Sequence, residues 1–278
     1  MTILLFTIII FGFAVLAGLL GSLTGLGGGV VIIPVLTLLF KVDIHYAIGT
    51  SLISVIATSS GAAAAYVKEG ISNIRLGMFL ELATTTGAVA GAFIAAYIST
   101  SIIAIIFGLI LILSAIASLL KHGDHLVTGN GSYLTRKLKL NNSFPTSEGK
   151  QDYTVKNVVG GFFMMNVAGV ISGLLGIGSG ALKVIAMDNI MRVPFKVSTT
   201  TSNFMIGVTA AASAGIYFKR GYIDPSLSMP VVIGVLIGAL IGTKILFATK
   251  VSTLKIIFAI VILLLALEMI YNGAMHKI

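Results

Sequence analysis

Ten apolar segments, at about 2–24, 29–41, 44–67, 75–98, 101–121, 155–175, 180–191, 196–219, 227–248 and 252–273, occupy nearly the whole chain. A bilayer core about 30 Å thick takes roughly 20 apolar residues to cross, and within it the protein must satisfy every backbone N–H and C=O itself, so each long segment is expected to be a helix. With 57% hydrophobic and 10% charged residues, the chain is too apolar and too poor in charge for a soluble domain of this size. It is therefore read as an all-α polytopic protein with 8–10 transmembrane segments, multi-pass in the cytoplasmic membrane. The first segment lacks a basic leader region and runs directly into a repeated motif, so it is expected to be retained rather than cleaved.

Two of the segments are interrupted in the same way. Gly25-Leu26-Gly27-Gly28-Gly29 and Gly176-Ile177-Gly178-Ser179-Gly180 place glycine where a helix would otherwise run. Glycine is the most costly ordinary residue in a helix interior and adopts positive φ freely, so both stretches read as breaks that leave bare backbone between apolar flanks. The segments that follow them reach only roughly 18 Å at helical rise and cannot cross the bilayer. Pro34 in the first withholds one helical N–H and adds to the irregularity. Broken helices at membrane depth are tolerated where they line a cavity, which makes these breaks the candidate binding site.

The breaks belong to a longer duplication. At a constant separation of 151 positions, Gly18 matches Gly169, Thr50 matches Thr201, Ser51 matches Ser202, Tyr66 matches Tyr217, Lys68 matches Lys219, and Gly87 and Gly91 match Gly238 and Gly242. Residues 1–121 and 155–278 are accordingly read as two homologous transmembrane repeats, joined by a polar cytoplasmic linker at 122–154. Five crossings per repeat would invert the second copy and four would keep it parallel, and Lys/Arg placement satisfies the positive-inside rule either way. The inverted arrangement is the expectation, because it gives two-sided access to one site. The tyrosines, at segment ends or in the linker, are read as interfacial rings.

The chemistry follows from the breaks. Helix N-termini present unsatisfied N–H groups and partial positive charge, a ready anion site. The next segments open on Gly49-Thr50-Ser51 and on Ser198-Thr199-Thr200-Thr201-Ser202-Asn203, hydroxyls and one amide able to ring a small oxyanion. The competing role for such side chains is bonding to their own helix carbonyls. Lys183 stands in an apolar run where its counterpart is Ile32. An intramembrane lysine points to function, with pairing to Asp188 or snorkelling as the plainer alternatives. Glu81 is read as a proton relay, or as a helix-end charge near Arg75; Arg192 is an interfacial anchor, and Lys68, Lys219 and Lys244 are snorkelling residues. The substrate-binding set is thus Gly25, Gly27, Gly28, Gly29, Thr50, Ser51, Gly176, Gly178, Ser179, Gly180, Lys183, Thr200, Thr201, Ser202 and Asn203.

No catalytic constellation accompanies this set. His45, His122, His125 and His276 lie at interfaces, in the linker or near the terminus, and GLGGG lacks the strand-turn-helix context and lysine-hydroxyl pair of a nucleotide loop. No cofactor, metal or nucleic acid is expected, and the net charge of +9 is read as contact with anionic lipid. GxxxG spacings at Gly87 and Gly234 admit close helix packing within one chain or in a homodimer.

In their order and duplication, GLGGG with its following proline, AIGTSL and GAAAAYVKEG in one half, and GLLGIGSG, STTTSN and YFKRGYID in the other, resemble the sulfite exporter TauE/SafE family, or TSUP permeases. The resemblance implies a transporter of sulfite, organosulfonates or related small anions with no ATPase of its own; alternating access is expected from the duplicated repeats, with a proton or cation as the candidate coupling ion. The family's glycine motif falls on Gly25 to Gly29 and Gly176 to Gly180, and its GTS motif on Gly49, Thr50 and Ser51. The second GTS is altered to Thr200-Thr201-Ser202, and Ile185 replaces the second proline. Export is favoured, since an inside-negative potential assists an outgoing anion by about 2.3 kcal/mol per charge per 100 mV. An anion channel and an intramembrane enzyme are the alternatives.

Overall fold

A computed structural model describes residues 3–24, 27–68, 70–119, 132–146, 149–248 and 252–277. Gly25 and Leu26, and the side chains of Tyr66, Lys68 and Lys244, lie outside the described residues. Helix α1 (Ile3–Thr24) leads to the short α2 (Gly29–Pro34), which continues as a wider π-helical segment, Val35–Leu39. Then come α3 (Ile44–Lys68), α4 (Ile74–Ala95) and α5 (Thr100–Leu119). The second half repeats this order as α7 (Val158–Leu175), α8 (Gly180–Ile185) with its π segment Ala186–Ile190, α9 (Phe195–Lys219), α10 (Pro225–Ala248) and α11 (Ser252–Ala274). Between them lie the single-turn α6 (Tyr133–Lys137) and an antiparallel hairpin of β1 (Asn142–Thr146) and β2 (Gly149–Tyr153).

The protein is an all-α polytopic membrane protein. Among the described residues five helices, α1, α4, α5, α7 and α10, are long and apolar enough by themselves to cross a bilayer. The 25-residue α3 and α9 are not among these, and burial explains why. They pack against each other and bury Thr50, Ser51, Ser54, Thr58 and Ser59 on one side and Thr200, Thr201, Ser202, Thr209 and Ser213 on the other. Shielded from lipid by their neighbours, they carry hydroxyls that a lipid-facing helix would not hold without cost. Exposed apolar side chains such as Leu4, Met78, Leu82, Phe93 and Leu109 cover the outer helices instead.

Around the α3–α9 pair the halves exchange partners. Helix α1 packs on α10 and α4 packs on α7. Small residues allow these close crossings. A Cβ at Gly18 would meet the Val235 backbone, and one at Gly169, 151 positions on, the Thr84 backbone, which is 151 before Val235. Gly87 lies on Asn166 and Val170, and its counterpart Gly238 on Val15 and Leu19. These GxxxG glycines are thus occupied within the chain.

The short pieces end alike. The N–H of Val42 donates to the Leu36 carbonyl at 3.0 Å and that of Val193 to the Met187 carbonyl at 2.9 Å, while Lys41 and Arg192 both take φ 56°. Because the same π segment follows Pro34 and Ile185, the proline is not what produces it. Arg192 is exposed, as an anchor requires.

The polar stretch holds more structure than a linker. Asn73 caps α4 by accepting from the Leu76 N–H at 3.0 Å, and its Nδ2 donates to the Leu140 carbonyl at 2.9 Å and to Tyr153 Oη at 2.8 Å. Phe144 and Tyr153 of the hairpin pack with Leu76, Leu80, Met187 and Met191 in a second core cluster. Burial pushes the Tyr153 phenol above its ordinary range, and the Asn73 bond only partly offsets this. Two tyrosines depart from the interfacial reading. Tyr153 and Tyr217 are buried, the latter with its hydroxyl 3.3 Å from both the Gly173 and Leu174 carbonyls, where it satisfies the end of α7. Tyr46, Tyr97, Tyr133 and Tyr271 are exposed.

Candidate functional site

The two breaks meet. Helix α7 stops at Leu175 because Gly176 turns to φ 68°, and Gly178 at φ 72° and Ser179 at φ 46° carry the chain to α8. In the first half Gly27 has φ 81° and Gly28 leads into α2. A Cβ at Gly29 would fall on Ser51 Oγ and lie 3.1 Å from the Gly176 carbonyl, and one at Gly27 would lie 3.7 Å from the Ile177 carbonyl. Glycine is needed here for approach as much as for turning. Residues 27–38 and 172–184 are all buried, so irregular backbone from both halves is held together between α3 and α9.

The hydroxyl clusters surround this meeting point and are engaged with protein. Ser51 Oγ donates to the Gly176 carbonyl at 2.8 Å and Ser202 Oγ to the Gly180 carbonyl at 3.3 Å. Ser179 Oγ donates to the Ala168 carbonyl at 2.6 Å. These hydroxyls, expected to ring an anion, are bonded to carbonyls instead: Ser51 to Gly176 at the end of α7, Ser179 to Ala168 within α7 and Ser202 to Gly180 at the start of α8. Thr200 bonds back to the Lys196 and Val197 carbonyls, and Thr201 Oγ1 accepts the Asn73 N–H at 3.0 Å. Thr50 Oγ1 lies 3.3 Å from Ser228 Oγ. Asn203 differs, since its Nδ2 is buried with no hydrogen-bond partner. It is a buried donor on α9 without an occupation.

Lys183 is fully buried, which excludes snorkelling. Its Nζ donates to Thr209 Oγ1 at 2.5 Å. Thr209 Oγ1 in turn lies 2.6 Å from Glu81 Oε1 and 2.9 Å from the Met205 carbonyl, either of which can take its hydrogen. Glu81 is 7% exposed, and Thr85 Oγ1 donates to its Oε1 at 3.2 Å. Arg75, the nearby charge on α4, donates to the Lys139 carbonyl. Sequence reasoning singled out Lys183 and Glu81 separately and missed Thr209 and the link between them. The one available signal was that Thr209 and its counterpart Thr58 both sit on the core helices.

A second polar feature was not foreseen. Ser72, Asn73, Arg75, Lys139, Asn141 and Asn142 line a cleft of about 290 Å³ beside the hairpin. No cluster of His, Cys, Asp or Glu suited to a metal ion occurs among the described residues.

A polytopic helical bundle whose two interrupted helices meet at its centre has the architecture of a membrane transporter. The chain belongs to the sulfite exporter TauE/SafE family, whose model matches residues 10–269. It is similar to the probable membrane transporter protein YunE of Bacillus subtilis (strain 168), 29% identical over 265 residues, which cover 93% of this chain and 95% of that protein. The probable membrane transporter protein YdhB of the same strain is 29% identical over 230 residues, 82% of this chain and 86% of that protein. In Methanocaldococcus jannaschii, the probable membrane transporter protein MJ0441 is 24% identical over 258 residues, 87% of this chain and 86% of that protein. No solved structure matches the chain. The protein is a multi-pass membrane transporter and not an enzyme.

Proposed function

We propose that the protein carries a small sulfur-containing oxyanion, sulfite or an organosulfonate, across the cytoplasmic membrane by alternating access. The observation that carries the reading is the meeting of the two glycine breaks, Gly27 to Gly29 against Gly176 to Gly180, in a fully buried position. Backbone dipoles stranded there gain solvation from a passing anion, and Asn203 Nδ2 on α9 is a buried donor without a partner. Lys183 supplies the positive charge. The bundle rocks about the α3–α9 contact, with the exchanged pairs α1–α10 and α4–α7, each drawn from both halves, moving as units, in the inverted arrangement that gives each side access in turn. For an anion that moves alone, the inside-negative potential favours export by about 2.3 kcal/mol per 100 mV.

The test is a flux screen in proteoliposomes with sulfite, sulfate, thiosulfate, taurine, methanesulfonate and small carboxylates. Saturable flux of one or more sulfur oxyanions, exceeding that of the carboxylates at least about tenfold, is the expected result; a tenfold preference corresponds to about 1.4 kcal/mol. Flux that rises without saturation would identify a channel, and preferential carriage of carboxylates would overturn the substrate class.

A further inference from the structure

The Glu81–Thr209–Lys183 chain does more than hold helices together. Its three residues come from α4, α9 and α8, and at the positions related by the 151-residue separation stand Val232, Thr58 and Ile32. The fold thus accommodates the same place in apolar form in its other half, so packing does not require the charges. Helix α4 packs on α7 and α9. Helix α7 has no ionisable residue, and Lys196 and Lys219 of α9 lie at its ends, ten or more residues from Thr209. The π segment after α8 contributes Asp188, also buried. Lys183 exerts a Coulombic pull on Glu81. Glu81 Oε2 is buried without a hydrogen-bond partner, and the residue lines a cavity of about 410 Å³ with Met78, Leu82, Thr85, Phe204 and Val208. Met78 and Leu82 are 62% and 65% exposed, so this cavity opens on the apolar outer surface.

We propose that Glu81, Thr209 and Lys183 form a proton-binding relay that couples one proton to each monovalent anion carried, with Glu81 as the proton site and Lys183 as the anion site. The inference rests on the anion-transport reading and adds the coupling ion to it. Without anion, the Glu81 carboxylate and Lys183 ammonium neutralise each other through the Thr209 hydroxyl. When an anion draws the Lys183 N–H donors to itself, Glu81 is left as a buried carboxylate without its counter-charge, a state too costly to persist. It takes one proton, on the unpartnered Oε2, and becomes a neutral carboxylic acid. The anion and the ammonium form the other neutral pair. Release of the anion returns Lys183 to Thr209 and expels the proton on the same side. Since linkage is reciprocal, the proton favours the anion as much as the anion favours the proton. The loaded complex carries no net added charge, so the pull of the membrane potential on a lone anion drops out, and the sum of the anion and proton gradients sets the direction.

The test uses methanesulfonate, whose single charge does not change with pH, on the full chain in proteoliposomes. For the wild type, binding should tighten as the pH falls, by up to about tenfold per unit for one linked proton, and flux should follow an imposed pH gradient while ignoring an imposed potential. For Glu81→Gln, which is neutral at every pH, binding should be independent of pH and flux should become potential-driven. A second measurement needs no variant. Dicyclohexylcarbodiimide, apolar enough to enter from the lipid, adds a protonated carboxyl O–H across one C=N bond with no leaving group, and methanesulfonate should increase this labelling of Glu81. Wild-type binding that does not vary with pH, or labelling unchanged or reduced by the anion, overturns the relay and leaves the transport reading standing. If neither methanesulfonate, sulfite nor thiosulfate binds the wild type at any pH, the transport reading falls and takes this proposal with it.

Discussion

Replacing Lys183 with Met should lower flux of the carried anion about a hundredfold while leaving the bundle folded. The side chain is fully buried and its Nζ is held by one hydroxyl, Thr209 Oγ1. A hydrogen bond to a charged group contributes roughly 1.5–3 kcal/mol, which is about 10- to 150-fold in affinity. Removing the ammonium leaves Glu81 without its counter-charge, and breaking a buried pair in this way costs about 3–5 kcal/mol if the remaining charge persists. Glu81 avoids that cost by staying protonated, so the lesion falls on transport and not on assembly. Glu81→Gln combined with Lys183→Met should be more stable to heat in detergent than Lys183→Met alone, because two neutral side chains of similar shape replace an unmatched acid. Wild-type flux in Lys183→Met would remove this residue from the site.

The second large effect is expected at Gly29. A Cβ there would overlap Ser51 Oγ and crowd both Val55 and the Gly176 carbonyl, and valine adds two methyl groups to the same space. Overpacking in a tight core costs about 1–3 kcal/mol, and more where backbone is what must move. Gly29→Val should abolish transport and lower the unfolding temperature. At Gly12, whose Cβ would meet nothing within 4 Å, the same substitution should leave both unchanged. Equal behaviour of the two variants would show that the breaks do not need to touch.

Much of this arrangement is legible in the residues. Glycine punctuation at 176–180 marked where α7 ends, and the shortness of the next segment marked a half-span, which the structure divides into α8 and a π segment that the residues did not announce. The hydroxyl-rich openings of α3 and α9 pointed to the helices that sit away from lipid. What local spacing conceals is pairing between distant helices. Glu81 could be read as a helix-end charge and Asp188 as the partner of Lys183 because sequence shows only what is near along the chain, whereas the packing of α4 on α7 and α9 brings Glu81 to Lys183 through Thr209. The hairpin was hidden for a different reason. Asn142–Thr146 and Gly149–Tyr153 lack the apolar alternation of a half-buried strand, and only Phe144 and Tyr153 are driven into the core. Tyr217 resembled an interfacial ring because it sits near a helix end, but the carbonyls at the end of α7 give its hydroxyl partners inside the protein. The bonds of the Ser51, Ser179 and Ser202 hydroxyls to the Gly176, Ala168 and Gly180 carbonyls were hidden because local spacing does not show which distant or neighbouring backbone a hydroxyl will meet.

The meeting of the breaks as the anion's path is tested most directly by chemical access. The natural chain has no cysteine, so Ser51→Cys and Ser202→Cys each introduce a single thiol beside the Gly176 and Gly180 carbonyls. A membrane-impermeant anionic thiosulfonate should modify these thiols from either face of oriented vesicles, and methanesulfonate should slow the reaction in proportion to its occupancy. The same reagent should not reach Leu82→Cys on the lipid-facing surface. Thiols at 51 and 202 that stay unreactive from both faces, or react at a rate the anion does not change, would contradict the account.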